Sequence, residues 1–101
     1  MKEIELMEHV LEEMSDAYNY AKMAIEYKDF DVETAELLYK LSGEEVNHAN
    51  ALHKNVVRMI DAYHRSGDKF PEDDMAVYEY LHKRAIEKAG EVGALQNMYK
   101  R

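Results

Sequence analysis

Two glutamates and one histidine carry the chemistry of this sequence. Glu13 stands in a helical stripe otherwise made of Leu6, Val10, Ala17, Tyr20, Ala24 and Tyr27. Glu45 stands in a second stripe, among Leu38, Ser42, Ala49, Leu52, Val56, Met59 and Tyr63, with Leu41 and His48 on its edge. An ionised carboxylate buried without a partner costs several kcal/mol, and neither stripe offers a Lys or Arg. Glu13 and Glu45 are equally distant in sequence from Asp29. If two helices fold back about Asp29, the carboxylates face each other at one height. There they must share a proton or hold a cation. His48 follows Glu45 by one helical turn, and Glu-x-x-His presents a carboxylate oxygen and a ring nitrogen to the same metal. Glu13, Glu45 and His48 together form an oxygen-plus-imidazole set without sulfur, suited to iron (Fe), manganese (Mn) or zinc (Zn).

Other residues compete for such a role. Glu12 and Asp16 flank the first stripe and would replace Glu13 if the register shifted, but both are expected in solvent. Glu-x-x-His recurs at Glu79 and His82. Mirroring the second and third helices about Asp68 or Lys69 sets Glu79 beside Arg58, roughly 15 Å along the axis from Glu45. A surface pair is expected there, with a second metal site as the alternative. His9, His53 and His64 are expected at the surface. Tyr20 shares the stripe of Glu13, either as a core tyrosine or as one that acts on a redox centre.

These side chains need long helices to position them. Apolar residues recur at three and four without strand-like alternation, and four glycines and one proline are few for a β protein. The spacing predicts helices from about Lys2 to Lys28 and from about Val32 to Arg65. Asp31 is the expected N-cap of the second and Ser66-Gly67 its stop. A third helix opens at Pro71, with Glu72, Asp73 and Asp74 in its first turn, and is expected to fray near Gly90 and Gly93, the alternative being that these glycines, with Ala89 and Ala94, let another helix come close. The fold class is thus all-α, one domain over residues 1–101. At ~1.5 Å per residue the helices span roughly 40, 50 and 40 Å, too long for so short a chain to cover. Three such helices are expected to make a flat layer whose exposed stripes call for a second chain, most simply a two-fold homodimer.

Composition narrows the partners. With 21 acidic against 13 basic residues the net charge is −8, which argues against nucleic acid. No stretch reaches the roughly 18 apolar residues of a membrane span, and the acidic start Met1-Lys2-Glu3-Ile4-Glu5 is unlike a secretory signal. A soluble, cytoplasmic protein is expected. Without cysteine there is no disulfide, thiol chemistry or iron–sulfur cluster.

Glu13-x6-Tyr20 on one helix followed by Glu45-x-x-His48 on the next resembles the ferritin-like superfamily of carboxylate-bridged di-iron proteins. The likeness is greatest to the first helical hairpin of rubrerythrins. The short length is similar to that of encapsulated ferritins, where one chain supplies half a four-helix bundle. It covers Glu13 to His48 well and the third helix hardly at all. The resemblance implies a centre of two glutamates and two Glu-x-x-His sets, of which this chain offers half. Val92 and Ala89, opposite Glu45 and His48 on the third helix, cannot ligate, so a second copy would supply the rest. Glu45 would then bridge two irons, Glu13 and His48 would terminate them, and Tyr20 would tune or quench the oxidised centre. The implied function is ferroxidase-type oxidation of Fe(II) by oxygen or peroxide. An encapsulin shell is a further implied partner, although Met98-Tyr99-Lys100-Arg101 shows no evident linker or targeting peptide. The rival readings are a metal-free helical interaction module, with the third helix docking a partner, and a bundle holding Mn or Zn without redox turnover.

Overall fold

The computed structural model describes residues Met1–Arg101 as three helices and no strands: α1 (Lys2–Tyr27), α2 (Val32–Arg65) and α3 (Glu72–Lys100). The all-α expectation holds, with both ends of α1 and α2 and the start of α3 within a residue or two. The turn after α1 closes through the Phe30 and Asp31 amides, both donating to the Tyr27 carbonyl at 3.0 and 2.8 Å. Asp31 caps α2 in extended backbone, but its carboxylate accepts from the Thr34 hydroxyl (2.7 Å) rather than from a helix amide. Gly67 ends the second turn at φ +86°, a left-handed conformation that glycine adopts without steric cost. Pro71 sits one residue earlier than expected, as the N-cap of α3, where its carbonyl accepts from the Met75 amide at 2.8 Å.

α1 is the shared element. It packs against both α2 and α3, whereas the backbones of α2 and α3 hardly approach each other. The molecule measures 56 × 19 × 17 Å, and so nearly equal a cross-section corrects the expected flat layer: the helices form a triangle. This arrangement also moves the seam of α1. Its buried positions are Glu3, Met7, Val10, Met14, Ala17, Ala21 and Ala24, a strict three–four spacing centred between two neighbours. The stripe containing Leu6, Glu13 and Tyr20 lies along the edge of that seam, where all three are half-buried. Glu13 and Glu45 are therefore rim residues, not core residues as the stripes implied. The third helix is the reason.

The contact between α1 and α2 is made by small side chains at the level of the carboxylates. Ala17, Ala49 and Ser42 are wholly buried there, as are Ala24 and Ala35 nearer the turn. Ser42 Oγ donates to the Ala17 carbonyl at 2.8 Å and accepts from Gln96 Nε2 at 3.0 Å, so one hydroxyl joins all three helices. Towards the other end, Met7, Val10, Met14, Val56, Ile60, Phe70 and Ala85 make the main apolar cluster. The expected fraying of α3 does not occur: it continues to Lys100. Its last turn is held by Lys28, which donates to the Tyr99 carbonyl and lies over the Tyr99 ring, and by Tyr99 against Tyr39 with centroids 4.7 Å apart. Midway, Lys88 Nζ lies 4.2 Å from the centre of the Tyr18 ring on α1. No helix is long and apolar enough to cross a membrane.

Ser42 is the residue whose loss this packing makes most informative. Ser42→Ala leaves the Gln96 amide without its acceptor and removes a buried donor, so a loss of about 1–3 kcal/mol is expected in urea unfolding. A change below about 0.5 kcal/mol, as at ordinary surface positions, would show that the three-way bond adds nothing.

Candidate metal centre

Glu13 on α1 and Glu45 with His48 on α2 converge on one side of the hairpin. One ligand atom from each lies within 4.8 Å of the others. His48 Nδ1 is 3.4 Å from Glu13 Oε2 and 3.5 Å from Glu45 Oε1. The Glu45 and Glu13 side chains keep 18% and 28% of their exposure and His48 keeps 62%. The carboxylates are thus half withdrawn from water while the imidazole faces it. On α1, Leu11, Ser15 and Tyr18 look towards α3; Glu13 lies on the far side of that helix by its angular position. The cluster opens on the hairpin face that α3 leaves uncovered.

Electrostatics make this a site under tension. Glu13 Oε2 is buried and has no hydrogen-bond partner. The Glu45 carboxyl is pushed above its ordinary 4.5. The largest cause is the adjacent Glu13 carboxyl, which can share a proton with it. Burial and the Glu13 charge act in the same direction, His48 opposes them, and exposed Asp16 adds a further negative charge. Either a proton held between the carboxyls or a cation would satisfy the stranded oxygen. A divalent ion fits the donor set: two carboxylates and one imidazole, presented by two helices and open on one side. The geometry leaves room for ligands from elsewhere.

The other candidates separate cleanly. Glu12 is exposed and pairs with His9 at 3.2 Å, and Asp16 is exposed, so neither replaces Glu13. His64 is exposed. Tyr20 is half-buried on the same edge, about 10 Å along the helix from Glu13. Glu79 is exposed, and His82 turns away from it to stack on His53 with centroids 4.6 Å apart. His53 is not a surface residue as expected: it is half-buried and hydrogen-bonds the Tyr78 hydroxyl at 3.1 Å. Its position beside Ala49 and Val56 was a sequence signal for this, since helical spacing sets it next to the buried stripe. Ala89 lines the cavity beside His53, His82, Val10 and Met14, so α3 does not stand opposite Glu45 and His48 as expected of Val92 and Ala89. Comparison with family models, curated proteins and solved structures gives no match to this chain.

The strained carboxyl pair predicts how the metal-free protein responds to pH. Because Glu45 holds its proton more tightly when folded, it stabilises the fold most fully below about pH 4.5, its ordinary value. That contribution disappears as pH rises through the folded value. Glu45→Gln removes the titration, so the apo variant should gain on apo wild type as pH goes from about 4 to about 7. Parallel urea midpoints at the two pH values measure the difference; equal spacing at both would mean that the carboxyls do not interact.

Proposed function

We propose that this chain is half of a ferritin-like four-helix bundle, completed by a second copy, and that it binds iron and oxidises Fe(II). The observation that carries the reading is the stranded Glu13 oxygen beside Glu45 and His48, on a face that its own third helix leaves open. Leu41, Leu52 and Met59, all half-buried, run along α2 on the side of His48, and Leu6 and Tyr20 do so along α1. A second copy laid on this face by a two-fold axis would cover them and bring up the same three ligands.

The residues present fit such a centre. Glu45 would bridge two ions, and Glu13 and His48 would each complete the shell of one. Bound iron would supply the electron transfer to oxygen or peroxide. The chain supplies the rest. The small-residue contact of α1 and α2 fixes the spacing of the ligands. The half-buried carboxylates carry charge where water screens it poorly, and Asp16 with the overall charge of −8 draws cations to the opening. Tyr20 would lie close enough to tune or quench the oxidised centre.

Two measurements on one sample decide this. Light scattering with iron bound should give a dimer or a multiple of it, with two irons per pair of chains. Glu45→Gln should lose iron affinity by more than the roughly 10–100-fold that follows loss of an outer hydrogen-bond partner, with Fe(II) oxidation lost in step. A monomer oxidising iron, or a variant oxidising it at the wild-type rate, would overturn the proposal. Tight binding of zinc or manganese without oxidation would identify a non-redox centre instead.

A further inference from the structure

The seam between α2 and α3 contains a second cluster of titratable side chains, remote from the carboxylates and unused by the reading above. His53 of α2 faces Tyr78 and His82 of α3. The His53 and His82 rings stack at 4.6 Å with an interplanar angle of 30°, and Tyr78 and His82 at 5.6 Å and 13°. His53 Nε2 and the Tyr78 hydroxyl are 3.1 Å apart. All three are half-buried. Beneath His53 and His82 lies a cavity of about 90 Å³ whose floor includes Val10, Met14 and Ala49.

The setting favours an uncharged His53. Burial lowers its tendency to take a proton below the ordinary 6.5, and the second imidazole, His82, lowers it further. No carboxylate answers from the elements around it. α3 presents Tyr78 and His82, and α1 presents only apolar Val10 and Met14. Asp61 on α2 acts on Tyr78, whose hydroxyl is held protonated above its ordinary 10.0 by burial and then by that charge. A proton on His53 would thus sit unpaired against another imidazole, half withdrawn from water.

The rest of α3 is held differently. Its second half is tied by Gln96 to Ser42, by Tyr99 to Tyr39 and by Lys28 to the Tyr99 carbonyl, none of which involves a histidine. Its first half packs Met75, Leu81 and Ala85 into the main apolar cluster, while its backbone has little direct hold on α2. We propose that the His53–Tyr78–His82 stack is an acid-sensitive latch: neutral, it fastens the first half of α3 to α2, and protonated, it lets that half lift while the second half stays docked. Water then surrounds the imidazolium on every side. The latch does not depend on whether metal binds.

The sign follows from linkage. With the folded value lowered, His53 contributes fully above about pH 6.5, and its contribution is lost as pH falls through the folded value. Amide hydrogen exchange on the full chain, corrected for intrinsic rates, reads this segment by segment. One proton taken up on opening changes the opening equilibrium by up to tenfold per pH unit. From about pH 7 to about pH 5, amides of residues 76–86 should lose protection on that scale, while residues 92–100 and α1 hold theirs. In His53→Phe, which keeps a ring in the stack, the loss should vanish. If that variant fails to fold, His82→Leu should shrink the acid loss at residues 76–86, because without the neighbouring imidazole the folded value of His53 moves back toward its ordinary one. Equal acid loss across all helices, or a loss undiminished in either variant, would overturn the latch.

Discussion

The close approach of α1 and α2 at Ala17, Ser42 and Ala49 is the constraint on which the rest depends. Side chains this small let two helices meet without ridges of larger residues between them. The carboxylates on the neighbouring turns, Glu13 and Glu45, are then forced to within reach of a shared proton or ion. Larger residues at these positions would move the helices apart and give each carboxylate its own water. The same contact explains the load on Ser42, whose hydroxyl is completely buried and must be satisfied by backbone and by Gln96.

Much of this was legible in the chain, and the failures have identifiable causes. Helix limits followed from Asp31, Gly67 and Pro71 because capping and turn chemistry are local. The meeting of Glu13, Glu45 and His48 followed from equal distance to a turn, since an antiparallel hairpin fixes register by counting. Depth did not follow. A stripe tells which side of a helix is apolar, but the centre of burial on α1 depends on where a third helix lands, and α3 has a weak pattern, with Val77, Tyr80 and Ile86 exposed. Met7, Met14 and Ala21 were therefore missing from the expected seam. His53 was misread for the same reason: its partners arrive from α3. Fraying at Gly90 and Gly93 was judged from propensity alone, which tertiary ties at Tyr99 and Gln96 override.

The two histidine-bearing clusters lie on opposite flanks of the hairpin and have opposite electrostatic character. Glu13 and Glu45 are anions crowded together, a defect that a cation repairs. His53 and His82 are imidazoles crowded together, a packing that a proton on His53 damages. One helix, α2, carries both, with His48 and His53 separated by little more than a turn but facing different neighbours. Identical side chains thus acquire contrary responses to charge from their surroundings alone.

The tie from Lys28 to Tyr99 spans 71 residues of chain, and its length has a kinetic meaning. Closing so large a loop carries an entropic cost that grows with the logarithm of its length. Contacts between α1 and α2 close outward from a four-residue turn and meet that cost in small steps. Chains generally form such local pairings before distant ones. Folding should accordingly begin as a hairpin that zips from Phe30, with α3 captured last. Glu13, Glu45 and His48 all belong to the early hairpin, so the carboxylate pair comes together before the chain has finished folding. The chain would then meet the crowding of its two carboxyls on the way to the native state, before α3 has docked.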